Sequence, residues 1–135
     1  MKITIETIVK ADLETVWYAW NNPADIKQWN AASDDWHTTE STVDLREGGT
    51  FSSRMEAKDG SMGFDFSGTY IKIIEKQLLE YTLGDGRSVT VQFSSAENGV
   101  KVVETFEAES QNDPEMQRQG WQSILNNFAL YVESK

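Results

Sequence analysis

Hydrophobic positions near the end of the chain recur at the spacing of an α-helix. Within residues 113–131 they form one broad apolar stripe, made of Trp121, Ile124, Leu125, Phe128 and Tyr131. Asp113 can cap this helix, and Pro114 suits its first position, where no amide donor is needed. The pattern predicts a long amphipathic helix over 113–131, which needs one large surface to pack against.

Most of the chain before this helix shows the alternation of hydrophobic and polar residues that is typical of strands. The predicted strands are 2–9, 34–45, 50–57, 62–75, 76–83, 87–95 and 100–108, and two short helices are predicted at 12–20 and 22–29. Glycine-containing segments between the later strands are typical of hairpin turns. The order of strand, two helices, six strands and long helix predicts an α+β fold on an antiparallel sheet. Such a helix on a curved sheet often leaves a cavity between the two.

Length and composition are those of one globular domain that spans residues 1–135. The chain is 39% hydrophobic and 25% charged, and no apolar run approaches the ~20 residues of a membrane span. The N-terminus lacks the apolar stretch of a signal peptide, and there is no cysteine, which together favour a cytoplasmic protein. The net charge of −10 opposes binding to nucleic acids and stable association with anionic membranes. A monomer and a weak dimer are equally compatible with this composition.

Motifs for cofactors, metals and familiar catalytic groups are missing from the chain. With one histidine and no cysteine, a metal site would need an all-oxygen shell around a hard cation, so no metal is expected. Gly48-Gly49 lacks the following helix and lysine of a phosphate-binding loop, and no cofactor is expected. The chain also lacks a Ser/His/Asp set and a paired-carboxylate motif, which weighs against a recognisable hydrolase or dehydrogenase.

Short segments along the chain match, in order and spacing, those of a known superfamily. They are Val16-Trp17, Asn22-Pro23, Trp29-Asn30, 44–49, Met55, Asp59-Gly60, 68–70, 81–83, 85–87 and 120–128. On these segments the whole chain resembles the START-like, helix-grip superfamily (SRPBCC), and within it the group named after the activator of the heat-shock-protein-90 ATPase. The resemblance implies a curved antiparallel sheet wrapped around the C-terminal helix, with a deep pocket between them. The superfamily uses this cavity for lipids, plant metabolites, polyketides and hormones, so the ligand is not implied.

Strand alternation selects the side chains that would line this pocket. The second predicted strand would present His37, Thr39, Ser41, Val43 and Leu45 on one face. The candidate ligand-binding residues are His37, Met55, Phe64, Phe66, Tyr81, Phe93, Glu104, Trp121 and Leu125. Aromatic walls with a few polar groups are typical of a small-molecule site, and the alternative is that these side chains simply fill a core.

Glu104 stands out because its place in the alternation predicts an inward apolar residue. An unpaired ionised carboxylate in that setting is costly, so the group should be paired, protonated or bound to something. It could hold a ligand hydroxyl or act as a general acid or base. Alternatively, the strand bulges and sends Glu104 to solvent, or Arg54 or Arg87 on a neighbouring strand pairs with it.

His37 is the only histidine of the chain. A place at the pocket mouth, beside Trp36, would allow it to exchange protons near neutral pH. The favoured interpretation is a partly exposed polar residue where a loop becomes a strand.

Gly120 lies inside the predicted C-terminal helix, where glycine costs about 1 kcal/mol relative to alanine. We expect either a bend in the helix at this residue or close packing of the sheet or a ligand against its backbone.

Three functions remain open after this reasoning. The first is binding of a hydrophobic small molecule (lipid, polyketide or flavonoid-like), with Glu104 or His37 orienting it. The second is an enzyme of cyclase, aromatase or hydrolase type acting on such a ligand. The third is a chaperone-associated ATPase-activator-like protein, and it has least support. The namesake cochaperone carries an additional domain for which this chain has no room, and Asp35-Trp36-His37 only superficially matches its Asn-Trp-His-Trp segment.

Overall fold

The computed structural model describes Met1–Lys135 and contains seven strands and three helices. The strands are β1 (Lys2–Val9), β2 (Trp36–Val43), β3 (Thr50–Ala57), β4 (Gly63–Ile74), β5 (Leu78–Leu83), β6 (Ser88–Ala96) and β7 (Gly99–Glu107). The helices are α1 (Leu13–Asn21), α2 (Pro23–Trp29) and α3 (Pro114–Glu133). The predicted order of elements and the α+β helix-grip fold are therefore confirmed.

The seven strands form one antiparallel sheet in the order β1-β7-β6-β5-β4-β3-β2. Each strand from β2 to β6 pairs with the next along the chain, while β1 pairs with β7 over its whole length. The sheet curves into a half-barrel, and α3 lies in its concave side against β1, with contacts to α1 and α2. Across the concave face, α3 reaches β4 through Trp121, whose ring meets Phe66 edge-on.

The helices begin at the predicted places, but one predicted cap is wrong. Asp12 caps α1, because its carboxylate accepts a hydrogen bond of 2.7 Å from the amide of Thr15. Asp113 makes no such bond at the start of α3. The first turn of α3 is held instead by Gln117, whose side chain accepts from the Glu109 amide and donates to the Asn112 carbonyl.

The core lies between the concave face and the three helices, and aromatic side chains dominate its centre. Phe128 of α3 is fully buried and meets Trp20 and Trp29 edge-on, each at 4.9 Å between ring centroids. Phe93 of β6 meets Trp17 and Trp20 edge-on in the same way. These pairs fasten α1, α2 and α3 to the same part of the sheet.

A β-bulge in β2 overturns the prediction that His37, Thr39, Ser41, Val43 and Leu45 share one face. Thr38 lies opposite Met55, but Glu40 already lies opposite Arg54, so Thr39 is an extra residue. The bulge reverses the alternation, and His37, opposite Glu56, points away from the face that carries Ser41 and Val43. Leu45 follows the end of the strand and is exposed.

The structure contradicts one of the two expectations for Gly120. A Cβ atom added there would have no neighbour within 4 Å, so close packing of the sheet does not explain the glycine. The helix assignment is continuous through this residue.

We expect Gly120→Ala to raise the free energy of unfolding by about 0.5–1 kcal/mol, because the helix gains stability without a clash. Gly60→Ala is the matched control: its site is equally open, but φ is +78°, so it should destabilise. Urea unfolding of both variants measures whether each substitution raises or lowers the free energy of unfolding. Destabilisation by Gly120→Ala would mean that the space beside the helix is used in solution.

Candidate functional site

A cavity of about 480 Å³ lies between α3, α2 and the concave face of the sheet. Of its 22 lining residues, 14 are hydrophobic, so the wall is mainly apolar with a minority of polar groups. The sheet supplies Val43, Phe51, Ser53, Met55, Phe64, Phe66, Tyr70, Leu79, Tyr81 and Glu104. The helices supply Trp20, Asn21, Ile26, Trp29, Met116, Gln117, Trp121 and Ile124, and the connecting segments supply Asn30, Arg87, Glu109 and Asn112. The volume of the cavity and the mainly apolar composition of its wall are typical of a small-molecule site.

Stacked and edge-on rings make the wall of this cavity rigid. Trp121 lies flat on Phe106, with 4.0 Å between ring centroids and 7° between planes, and Phe66 meets it edge-on at 5.9 Å. On the opposite wall, Phe51 meets Tyr81 edge-on at 4.9 Å. Because these rings are held by one another, the cavity does not depend on a single side chain for its shape.

The cavity is open to solvent. Phe64 at the β4 end of the wall is 49% exposed, and Met116 in the first turn of α3 is 56% exposed. The polar wall residues Glu109, Asn112 and Gln117 lie close to Met116 and hydrogen-bond with one another. The site therefore combines an apolar interior with a partly polar rim.

The structure brings six of the nine predicted residues together on the cavity wall: Met55, Phe64, Phe66, Tyr81, Glu104 and Trp121. Phe93 and Leu125 face the interior but are packed in the core and do not line the cavity. His37 lies in a separate polar surface cleft with Trp36, Lys58 and Asn127.

Several wall residues were outside the predicted set. Among them are Trp20 and Trp29, from two different helices, and Arg87, Glu109, Asn112 and Gln117, whose place on the wall no periodic pattern in the sequence indicates. These four reach the cavity from loops and from a helix start, and their direction is set by the tertiary fold.

Glu104 is buried on the cavity wall without a partner. It is 6% exposed, and neither of its oxygens makes a hydrogen bond or an ion pair. The two alternatives for it are wrong. The β1, β7 and β6 ladders run through it without a bulge, opposite Ile5 and Val91. Arg54 binds Glu56 and Asp65, and Arg87 binds Asp85 and the Glu107 carbonyl.

The carboxyl oxygens of Glu104 reach the cavity space. Every side-chain nitrogen or oxygen that is sealed from solvent in this structure has a hydrogen-bond partner. Glu104 has none, so its oxygens are not sealed, and the open space that it lines is the cavity. Burial raises the pKa of Glu104 to about 8, so the carboxyl group carries its proton at neutral pH and can donate a hydrogen bond.

Two tyrosines on the same wall also lack hydrogen-bond partners for their hydroxyl groups. Burial, and to a smaller extent the charge of Asp44, raises the pKa of Tyr70 to about 12. Burial, followed by the nearby Glu104 and Tyr70, raises the pKa of Tyr81 well above its usual value. Both hydroxyls therefore stay protonated at physiological pH, and the wall offers three neutral O–H donors.

A second buried carboxyl group fixes the helix that covers the cavity. Asp25 of α2 accepts hydrogen bonds from the Tyr131 hydroxyl, from Asn22 Nδ2 at 2.9 Å and from Lys135 Nζ at 3.1 Å. Burial raises the pKa of Asp25, but these bonds outweigh it and hold the pKa below its usual value. The hydrogen bond to Asp25 in turn raises the pKa of Tyr131 to about 12. The cluster ties α2, whose Ile26 and Trp29 line the cavity, to the end of α3.

A helix-grip fold with a cavity under its C-terminal helix is the architecture of the START-like class of proteins. Residues 10–133 match the family described as activator of Hsp90 ATPase homolog 1-like protein, and the chain belongs to this family. No functionally curated protein matches the chain.

Solved structures share this fold, and one of them is named as a member of the same family. The AHSA1-like protein from Aeromonas hydrophila is 52% identical, with 99% of this chain and 93% of that one covered and a TM-score of 0.93. Chr148 from Cytophaga hutchinsonii is 47% identical over 98% of this chain and 92% of that one, with a TM-score of 0.85. A protein from Rhizobium leguminosarum is 27% identical, with 100% of this chain and 95% of that one covered, and the TM-score is 0.81.

The structure also bears on membranes and metals. None of the three helices is both long and apolar enough to cross a membrane. No three His, Asp or Glu side chains come together in an arrangement that could hold a metal ion.

We expect Tyr131→Phe to lower the free energy of unfolding by about 1 kcal/mol, because it removes the hydroxyl donor of the buried Asp25. Tyr18→Phe on α1 is the matched control, since Tyr18 is exposed and its loss should have almost no effect. Equal effects of the two variants in urea unfolding would contradict a structural role for the Asp25 cluster.

Glu104 should make stability depend on pH. Its pKa is about 8 in the folded protein and 4.5 in an unstructured chain, so between these values the folded state holds one proton more than the unfolded state. The free energy of unfolding should therefore fall as pH rises from about 4.5 to 8, by roughly 1.4 kcal/mol per pH unit from this group. Glu104→Gln should remove this contribution.

The measurement is urea unfolding of the wild type and of Glu104→Gln at each pH across that window. The wild type should lose stability relative to the variant as pH rises. Glu80→Gln on the outer face of β5 removes the same charge without touching the cavity, and it should follow the wild type. Parallel pH curves for wild type and Glu104→Gln would mean that Glu104 finds a partner in solution.

Proposed function

We propose that the protein binds a hydrophobic small molecule of lipid, polyketide or flavonoid-like type in the cavity beneath α3. The observation that carries the proposal is the unpartnered Glu104 on the wall of an otherwise aromatic cavity. Because the carboxylic acid of Glu104 borders the cavity and has no partner in the protein, it is free to donate a hydrogen bond to a ligand atom. Apolar ligand surface buried against the rings would supply most of the affinity.

The size of the cavity supports a ligand of moderate size. A volume of about 480 Å³ lies within the range that is typical for small-molecule sites, roughly 300–1,000 Å³. The exposed Phe64 and Met116 on the wall supply a route of entry from solvent.

An enzyme acting on such a ligand is the second candidate. The observation in its favour is the Glu104 pKa of about 8, which would allow the carboxyl group to give a proton to a bound substrate near neutral pH. A second titrating group is needed for most acid–base cycles, and His37 lies in a different cleft. Binding without reaction is therefore the better supported function. The name of the family is taken as homology, and no feature of the cavity supports ATPase activation.

The binding proposal is tested by titrating the ¹⁵N-labelled protein with fatty acids, flavonoids, sterols and polyketide-like aromatic compounds. We expect saturable amide shifts around Met55, Phe66, Tyr81, Glu104 and Trp121 for at least one class. The ligand should be recovered chemically unchanged, and a changed ligand would favour the enzyme instead.

A variant with a filled cavity makes the test specific. Ile124→Trp adds a large ring at a wall position of α3 and should weaken binding at least about tenfold, because the ring occupies the ligand volume. Leu130→Trp on the same helix lies outside the cavity, is exposed, and should bind like the wild type. The proposal fails if no compound class shifts the wall residues, or if Ile124→Trp binds as tightly as Leu130→Trp.

A further inference from the structure

The three unpartnered hydroxyl-bearing groups of the wall, Glu104, Tyr81 and Tyr70, lie on the same concave face of the sheet. We propose that they select an uncharged ligand with a hydrogen-bond-accepting oxygen, such as a ketone or ester carbonyl, and exclude carboxylates of the same shape. This inference rests on the proposed function, because it concerns the kind of ligand that the cavity accepts.

The sheet register brings the three groups to one region. Tyr70 and Tyr81 lie directly opposite each other on β4 and β5, with their rings 6.3 Å apart between centroids. Strand β6 separates Tyr81 from Glu104, and on this face β6 carries Val89 and Val91. The short valine side chains are fully buried beneath the longer groups on either side of them. Glu104 and Tyr81 both line the cavity, and Glu104 lies close enough to raise the pKa of Tyr81, so a ligand oxygen between them would have a donor on each side.

The charges around the cavity disfavour an anion. Apart from Glu104, the charged wall residues are Arg87 and Glu109. Arg87 is bound by Asp85 and the Glu107 carbonyl, and Glu109 accepts a hydrogen bond from Asn112 near the rim. All three helices contribute uncharged side chains to the wall, and Ile5 is the neighbour of Glu104 from β1. The one cation of the wall, Arg87, is already paired with Asp85, so a ligand carboxylate beside Glu104 would lose its hydration without an unpaired positive charge to compensate, which is costly.

A cation is a weaker candidate than a neutral ligand. An ammonium group would have to displace the proton of Glu104 and lose its own hydration, and buried ion pairs often only break even against these costs. A carbonyl oxygen needs neither change, because it accepts a hydrogen bond from the carboxylic acid as it stands.

The same arrangement links binding to pH. Glu104 loses its donor proton and gains a charge as pH rises through about 8, so affinity for a carbonyl ligand should be constant below that pH and fall above it. Tyr70 and Tyr81 keep their protons in this range, because their pKa values lie well above it. We expect a loss of about tenfold between pH 6.5 and 9 if the neutral form alone binds.

Three probes with one aromatic skeleton test the charge preference: methyl naphthyl ketone, naphthoic acid and naphthylmethylamine. Affinities are measured by NMR titration of the full chain at pH 6.5, 7.5 and 9, with the spectrum at each pH confirming the fold. We expect the ketone to bind at least about tenfold more tightly than the acid at pH 6.5 and to weaken at pH 9.

Two variants separate the role of Glu104 from general effects of charge. Glu104→Gln keeps the size and an N–H donor but does not titrate, so its affinity for the ketone, whatever its level at pH 6.5, should stay the same up to pH 9. Glu80→Gln removes a charge from the outer face of β5, which β6 separates from the strand of Glu104, and should retain the pH dependence of the wild type.

The outcomes distinguish this inference from the proposed function. Equal binding of the ketone and the acid, tighter binding of the amine, or an unchanged pH dependence in Glu104→Gln would overturn the inference while leaving ligand binding in place. Failure of all three probes and of the wider compound panel to shift the cavity residues would overturn both. The inference is supported if the wild type prefers the ketone at pH 6.5 and loses this preference at pH 9, while Glu104→Gln keeps it.

Discussion

Trp121 lies flat against Phe106, with 4.0 Å between ring centroids, and this contact joins the C-terminal helix to the β7 side of the sheet. α3 packs most closely on β1, and Trp121 also reaches Phe66 of β4. The concave face of β3, β4 and β5 forms one side of the cavity, and residues of α2 and α3 form the other. A helix seated further across the sheet would fill this space with side chains. The stacked pair therefore holds α3 in a position that leaves room for the cavity.

The chain contains two carboxyl groups with the same small exposed fraction, and their surroundings shift their pKa values in opposite directions. Asp25 and Glu104 are each 6% exposed. Asp25 has three donors around it and a pKa below the usual value, so it is a fixed negative charge that ties two helices together. Glu104 has no donor and a raised pKa, so it is a neutral acid that faces open space. The contrast marks the first as structural and the second as available for a ligand.

Regular strands explain why much of the site could be predicted from the sequence. Met55, Phe66, Tyr81 and Glu104 lie on stretches of strand that carry no inserted residue of their own, so alternation alone decides which side chains face inward. His37 was misplaced because the extra residue Thr39 reverses the faces of β2, and two consecutive threonines give no hydrophobic signal for a bulge.

Other parts of the site depend on distant packing. Phe93 faces inward as expected, but Trp17 and Trp20 of α1 cover it, so it belongs to the core and not to the cavity. The rim residues Arg87 and Gln117 come from a turn and a helix start, where no periodic pattern operates.

The pairing of β1 with β7 also has a consequence for how the chain acquires its structure. On the ribosome, the first nine residues emerge long before their partners at positions 99–107, so β1 has no neighbouring strand during most of synthesis. The hairpins from β2 to β7 can form in sequence as they appear, whereas the last ladder requires closure of a loop of about ninety residues. Docking of β1 and α3 is therefore expected late, and a nascent chain stalled before residue 99 would keep the concave face, with its many aromatic rings, open to the surrounding solution.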